Sequence, residues 1–186
     1  MTAGNLLRLG LLGLLLALVL RPDWFPPLFT PLAPAGGPVI YARSSLLSLS
    51  LSHLGLVALA SVAATLVAVT LAIFVTRPVG ASFLPLSRTI TNIGQTFPPV
   101  AVLALAVPAL GFGSGPTLVA LFLYGLLPIF ENAITALSTL PPATMEAARG
   151  MGLNRWQRLW RVELPLALPV ILTGIRLSVV IALGTA

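Results

Sequence analysis

The sequence predicts an all-α fold that crosses a membrane several times, and three observations support this. Hydrophobic residues make up 58% of the 186 residues. Charged residues make up only 8%, whereas a soluble domain has roughly 25%. Long apolar runs alternate with short polar segments, and the mean hydropathy is +1.05. Since helices satisfy their own backbone hydrogen bonds in lipid, we expect a polytopic helical protein with about five spans.

The charged residues argue against a nucleic-acid-binding protein and against an enzyme. The net charge of +6 comes from ten arginines and no lysine, and most of these arginines stand at the ends of apolar runs. Such a distribution is typical of topology determinants and of contacts with anionic lipid. With no cysteine, four dispersed acids and His53 as the only histidine, the chain offers no catalytic cluster and no metal site. We expect His53 to lie at a membrane interface.

The first apolar run covers Leu6 to Leu20, and we interpret it as a retained span. A cleaved secretory signal is the alternative, with Arg8 as its positive end and Ala33-Pro34-Ala35 as the cleavage site. The proline-rich stretch from Arg21 to Pro38 predicts an irregular external connector without helix. Residues 1–44 are therefore predicted to be an additional N-terminal span with its connector.

The second span is predicted from His53 to Thr76 and is ended by Arg77-Pro78. Small residues recur in it at every fourth position, which permits close helix packing in a membrane. They are Ala60, Ala64, Ala68 and Ala72.

The third and fourth runs, about Ile90 to Leu110 and Thr117 to Leu137, carry prolines and polar side chains at membrane depth. Such residues are tolerated where they face protein or a water-filled path. We predict a translocation path from them, with packing and helix kinking as the alternative role. The candidates are Asn92, Gln95, Pro99, Tyr124, Pro128, Glu131 and Asn132.

Glu131 is a functional candidate because an acid at membrane depth is costly. Its structural alternatives are a pair with Arg176, in the fifth run from Leu166 to Ala186, or a position near the cytoplasmic edge. The glycine-rich turn at residues 111–116 lacks the Gly-Lys-Ser/Thr ending of a P-loop. Any ATP must therefore be handled by another chain.

The polar segment 138–164 is predicted to form two short helices joined at glycines. Thr139 is expected to cap the first helix, and Gly150 with Gly152 to end it. Asn154 and Gln157 form a capping-box pattern for the second helix, which Pro165 is expected to stop. A solvated cytoplasmic loop is the plainer alternative.

The second of these helices is amphipathic, which predicts that it lies in the lipid headgroup layer. Trp156, Leu159 and Trp160 are spaced to share one face. Arg155, Arg158 and Arg161 lie on other faces.

The segment resembles the EAA loop of bacterial ATP-binding-cassette importer permeases, whose pattern is E-A-A-x3-G-x9-I-x-L-P. Here Val162 replaces the isoleucine, and every other specified position matches. The resemblance implies a type I importer permease fold in which this loop is a cytoplasmic coupling helix that docks into a separate ATPase. The implied coupling residues are Glu146, Ala147, Ala148, Gly150, Gly152, Leu164 and Pro165.

The arginines predict the same orientation independently. If the loop is cytoplasmic and the runs alternate, seven arginines lie inside and two outside, in agreement with the positive-inside rule. Those inside are Arg8, Arg77, Arg88, Arg149, Arg155, Arg158 and Arg161; those outside are Arg21 and Arg43. We expect a bacterial inner-membrane protein with a cytoplasmic N-terminus.

Residues 45–186 are also similar to the branch of these permeases that imports osmoprotectants such as glycine betaine, choline or carnitine. The matching strings include Asn92 to Thr96, Tyr124 to Ile129 and Gly174-Ile175-Arg176. Such permeases normally continue beyond Ala186, so the usual last span is expected to be missing.

The resemblance also implies the partners: an ABC ATPase carrying ATP and Mg, a second permease copy, an extracytoplasmic binding protein and the lipid bilayer. We expect no cofactor on this chain and no nucleic acid. Three alternatives stay open: an amino-acid or methionine importer, a secondary transporter, and a membrane anchor that does not transport.

Overall fold

The computed structural model describes residues 3–32, 39–40 and 43–185, and every regular element in these ranges is helical. This confirms the predicted all-α class. The chain divides into two compact units, Met1–Gly55 and Leu56–Ala186. The division falls inside one long helix, whereas the sequence placed a boundary at residue 44.

The first unit begins with helix α1 (Ala3–Leu20). Short helical turns follow at Pro22–Trp24, at α2 (Pro26–Phe29) and at Thr30–Leu32. The prediction of a connector without helix is therefore wrong for residues 22–32. Proline is harmless at the first position of a helical turn because its missing N–H would have no partner there. The candidate cleavage site at residues 33–35 lies outside the described residues.

Helix α3 (Leu46–Val75) begins in the first unit and continues into the second. Its larger part, together with α6 (Ser114–Ser138) and α9 (Leu164–Thr185), forms the centre of the second unit. All four alanines of the predicted small-residue ladder in α3 are buried. Three of them form a core with apolar residues of α6 and α9. At Gly125 a Cβ atom would lie 2.7 Å from Ser178 Oγ and 3.2 Å from the Cβ of Ala64. The three helices therefore approach closely where their side chains are small.

The expected third span is broken. It consists of α4 (Leu84–Thr96) and α5 (Pro99–Leu110), which meet at an angle of 97°. Phe97 precedes Pro98, and the proline ring forces the residue before it out of the helical region. Phe97 accordingly has an extended backbone with φ −101° and ψ 144°.

Among the described residues, three helices are long and apolar enough to cross a membrane: Leu46–Val75, Ser114–Ser138 and the continuous helix Arg155–Thr185. The bent pair α4–α5 makes a fourth if it is counted as one span, and the apolar helix Gly4–Leu20 is shorter. The predicted number of about five spans is reached only if the bent pair and the helix Gly4–Leu20 are each counted as a span.

Candidate functional site

Helix α7 (Pro142–Gly150) carries the first part of the EAA-like segment. Thr139 does not cap this helix, contrary to the sequence prediction. Its hydroxyl donates to the carbonyl of Thr135 at 2.8 Å and so belongs to the end of α6. Pro141 takes the N-cap position instead, and Pro142 begins the helix without leaving an unpaired N–H.

The exposed face of α7 is smaller than the sequence suggests. Glu146 and Ala147 are exposed, but Ala148 is only 1% exposed. Ala148 therefore packs inside this chain and adds no side-chain surface for a partner. Exposed residues continue through the end of the helix at Gly150 to Met151 and Gly152 beyond it.

The turn after α7 is held by a Schellman motif. Gly152 has φ +74°, a left-handed conformation that glycine adopts without strain. Its N–H donates to the carbonyl of Arg149 at 2.9 Å, and the N–H of Leu153 donates to that of Ala148 at 3.2 Å. These two bonds satisfy carbonyls at the helix end. The predicted helix-ending role of Gly152 is confirmed.

The next helix begins immediately, at α8 (Arg155–Arg158). The predicted capping box is confirmed. The side chain of Asn154 accepts from the N–H of Gln157, and the side chain of Gln157 accepts from the N–H of Asn154, both at 2.9 Å. Because α7 and α8 are both capped locally, the four residues between them form a defined turn.

Pro165 does not stop this helix, contrary to prediction. A π-helical turn, Leu159–Glu163, joins α8 to α9, and the N–H of Leu164 bonds the carbonyl of Leu159 five residues back. Such wider turns occur as single insertions in α-helices. The chain thus runs as one helical segment from Arg155 to Thr185, with Leu164 and Pro165 in its interior.

The predicted apolar face of α8 is only partly correct. Trp156 is 72% exposed and Trp160 is 66% exposed, whereas Leu159 is 6% exposed and points into the protein. Arg155 and Arg161 are also exposed, and Arg158 is largely covered. Two tryptophans with exposed arginines give a side-chain set suited to a membrane interface.

A buried acid that the sequence did not single out links this loop to α3. Glu163 is 3% exposed, and its Oε2 lies 2.5 Å from Nη2 of Arg77, just beyond the end of α3. Its Oε1 lies 3.9 Å from Nε of Arg158. A buried carboxylate needs such partners because burying an unpaired charge is very costly. The sequence held one signal that could have identified Glu163: it is an acid directly before Leu164-Pro165, where a long apolar run begins.

Three of the predicted path residues, Gln95, Tyr124 and Pro128, are linked around the proline inside α6. Pro128 has no N–H, so the carbonyl of Tyr124 four residues earlier loses its helical donor. Nε2 of Gln95 donates to that carbonyl at 3.3 Å. The hydroxyl of Tyr124 in turn donates to the carbonyl of Phe97, at the break between α4 and α5.

Glycine allows α4 to approach α6 at Leu123, next to Tyr124. A Cβ atom at Gly94 would overlap the backbone of Leu123, so the two helix backbones are in contact there. Pro99 and Tyr124 line the same small cavity, while Asn92 is exposed. Two hydrogen bonds therefore connect Gln95 to Tyr124, and Tyr124 to the break between α4 and α5.

Asn132 and Pro128 make contacts that favour a packing role. Nδ2 of Asn132 donates to the carbonyl of Pro128 at 2.8 Å. A Cβ atom at Gly174 would lie 2.7 Å from the same carbonyl oxygen and 2.8 Å from Cβ of Asn132. This part of α6 is therefore pressed against α9.

Glu131 pairs with Arg88, not with Arg176 as one alternative held. The guanidinium of Arg88 donates to both carboxylate oxygens, at 2.9 and 3.2 Å. Both side chains keep more than a third of their surface exposed, so solvent weakens the pair. Arg176 is exposed elsewhere on α9.

The family match and the similar proteins found by comparison agree with one another. Residues 64–186 match the family described as "Binding-protein-dependent transport system inner membrane component". The osmoprotectant import permease protein OsmY of Salmonella typhimurium is 46% identical over 141 residues, covering 76% of this chain and 60% of that protein.

Two further relatives have similar names. OsmW of Salmonella typhimurium, also an osmoprotectant import permease protein, is 44% identical over 151 residues, with 75% of this chain and 66% of that protein covered. The glycine betaine/carnitine/choline transport system permease protein OpuCB of Bacillus subtilis is 38% identical over 128 residues, with coverages of 66% and 59%. The chain thus spans about 60% of the length of these relatives.

Proposed function

This chain belongs to the family of binding-protein-dependent transport system inner membrane components, and we propose that it is the membrane-spanning permease subunit of an ATP-driven importer. The relatives named above are permease proteins for osmoprotectants. We extend that substrate class, which includes glycine betaine, choline and carnitine, to this chain. In this proposal the chain carries out no hydrolysis itself, and ATP with Mg is bound by a partner ATPase.

The observation that carries the proposal is the capped turn between α7 and α8. The Schellman motif and the capping box fix the end of α7 and the start of α8, so Glu146, Ala147 and Gly152 are exposed on a surface of defined shape. A surface of defined shape can dock into a groove with little loss of conformational entropy. We propose that this surface docks into the ATPase, with Ala148 serving as its inner packing residue.

The docked loop would transmit its movement to the membrane helices through two links, one covalent and one ionic. The π turn connects α8 directly to α9, and the Glu163–Arg77 ion pair connects the same turn to the end of α3. Since α3 and α9 pack against α6, a displaced loop would move the helices that carry the candidate path. The path itself is proposed to include Asn92, Gln95 and Tyr124 beside the helix break.

A complete transporter would also need a second permease copy and an extracytoplasmic binding protein. We propose that the N-terminus and the α7–α8 loop lie in the cytoplasm, because the arginine distribution follows the positive-inside rule.

The test is a reconstituted transporter containing this chain, its ATPase and its binding protein. Glu146→Lys reverses the charge of an exposed docking residue, so the affinity for the ATPase, measured by co-purification, should fall by roughly tenfold, the effect of losing about 1.4 kcal/mol of binding. Uptake per ATP hydrolysed should fall as well. Asp23→Asn, which removes an exposed acid from the other unit, is the control and should leave both unchanged. Normal coupled uptake with Glu146→Lys would refute the docking assignment.

The same vesicles test the substrate class. Labelled glycine betaine, choline and carnitine should be taken up only with ATP and the binding protein, whereas methionine should not. Uptake of methionine instead would favour the amino-acid importer. Uptake that persists without the ATPase but is abolished by ionophores would favour a secondary transporter.

A further inference from the structure

An open cavity of about 760 Å³ lies between the end of α3 and the α7–α8 loop. Its size falls in the range of about 300–1,000 Å³ that is usual for small-molecule sites. Arg77 lines it from beyond α3, Arg149 from α7, and Arg155, Trp156 and Arg158 from α8. The proposed coupling role uses the Glu163–Arg77 ion pair in the wall of this cavity but assigns no occupant to its interior.

The side chains that line the cavity carry an excess of positive charge. Four arginines line it against one acid, Glu163, which is already bound by Arg77 at 2.5 Å. Neither Arg149 nor Arg155 forms an ion pair with an acid within the described residues. Two guanidinium groups therefore remain available to an anion from outside the chain.

A second observation also points to a missing acceptor. Nε of Arg158 is buried and has no hydrogen-bond partner in the described part of the chain. It lies 3.9 Å from Glu163, which is too far for a hydrogen bond. Buried N–H groups nearly always have an acceptor. Oε1 of Glu163 lacks a partner as well, so the Arg158–Glu163 contact leaves both groups unsatisfied at the cavity wall. An anionic oxygen in the cavity would supply an acceptor once the Arg158 side chain turns toward it.

The remaining walls suit an amphipathic molecule. Ile73, Phe74 and the exposed ring of Trp156 line the cavity beside the arginines. Phosphate oxygens could bind the guanidinium groups while acyl chains continue along the apolar surface at the end of α3. Basic pockets on the cytoplasmic side of membrane helices are suited to anionic lipid headgroups.

We propose that this cavity binds the phosphate of an anionic phospholipid, such as phosphatidylglycerol or cardiolipin. The inference rests on the membrane placement in the proposed function, although it does not depend on ATPase docking. A bound headgroup would bridge the end of α3 and the α7–α8 loop. The lipid would thereby stabilise the loop against the helices that it is proposed to move.

Tryptophan fluorescence of the full chain in lipid nanodiscs tests this site. Trp24→Phe/Trp160→Phe leaves Trp156, which lines the cavity, as the only tryptophan. Trp24→Phe/Trp156→Phe leaves Trp160, an exposed neighbour outside the lining, as the matched control. In phosphatidylcholine containing a minority of brominated phosphatidylglycerol, Trp156 should be quenched more than Trp160. With brominated phosphatidylcholine, the two should be quenched equally.

Arginine variants in the same background then test the contact. Arg155→Gln should weaken the preferential quenching so that roughly fivefold more brominated phosphatidylglycerol is needed, because one arginine near the surface is lost. Arg155→Lys should retain most of the preferential quenching, because it keeps the positive charge. Arg161→Gln, exposed on the following turn and outside the lining, should keep all of it.

Equal quenching of Trp156 and Trp160 by brominated phosphatidylglycerol would overturn the proposal. Loss of the preference on adding millimolar inorganic phosphate would overturn the lipid assignment, because it would show a site for free anions. Preferential quenching of Trp156 that persists in inorganic phosphate supports a site for the phospholipid. Since no ATPase is present, this result is independent of the docking test.

Discussion

Glu163 shows how a single buried charge can connect two distant parts of the chain. Its carboxylate is almost completely buried, while the side chain of Arg77 is one-third exposed. The two residues are 86 positions apart in the sequence. Because Arg77 reaches solvent and Glu163 does not, removing one partner has a different consequence from removing the other.

We predict that Arg77→Met destabilises the protein more than Glu163→Gln does. Arg77→Met leaves a buried carboxylate without its nearest charge, which costs roughly 3 kcal/mol. Glu163→Gln leaves an arginine that can rehydrate and an amide that can still accept, at a cost of about 1 kcal/mol. Thermal unfolding of the two variants in one detergent measures the difference. The reverse order would contradict the assignment of Glu163 as the buried member.

At the scale of elements, the α7–α8 turn is determined by local chemistry. A left-handed glycine, a capping asparagine and a returning glutamine follow one another within residues 152–157. Each makes its contact within a few residues, so the sequence was sufficient to predict the turn. The break between α4 and α5 also has a local cause, since consecutive prolines at 98 and 99 end one helix and begin the next. The sequence nevertheless predicted one continuous run there.

Gly152→Ala and Gly150→Ala form a matched pair for this turn. Gly152 has a positive φ, so an alanine there is strained and should lower stability by about 1 kcal/mol. Gly150 ends α7 without a positive φ, and a Cβ atom there would meet nothing within 4 Å. Gly150→Ala should therefore be neutral or slightly stabilising. Unfolding temperature and ATPase co-purification measure both effects. Equal losses for the two variants would show that the φ of Gly152 is unimportant.

On the scale of the whole molecule, the loop and the glycine-rich turn before α6 should lie on opposite sides of the membrane. One helix of spanning length, α6, separates them. Met151 is 71% exposed in the loop, and Phe112 is 95% exposed in the glycine-rich turn. The absence of native cysteine allows a single introduced thiol to report on each position.

We predict that Phe112→Cys reacts with a membrane-impermeant thiol reagent in spheroplasts, and that Met151→Cys reacts only in inverted vesicles. The charge bias of the loops is the physical reason for this orientation. Labelling of permeabilised cells controls for reactivity at both positions. Labelling of both cysteines from the same side would contradict the topology.

The sequence by itself determined the helical membrane class, the ladder of alanines, the capped α7–α8 turn and the family pattern, because hydropathy, small size and capping act over a few residues. Tertiary structure alone decided which polar groups meet. It paired Glu131 with Arg88 in place of Arg176, buried Ala148, and joined Gln95 to the carbonyl that Pro128 leaves free. It also replaced the expected stop at Pro165 by a π turn and brought Glu163 to Arg77. These choices depend on how α3, α4, α6 and α9 pack, and helix packing brings together residues whose separation in the chain carries no information about contact.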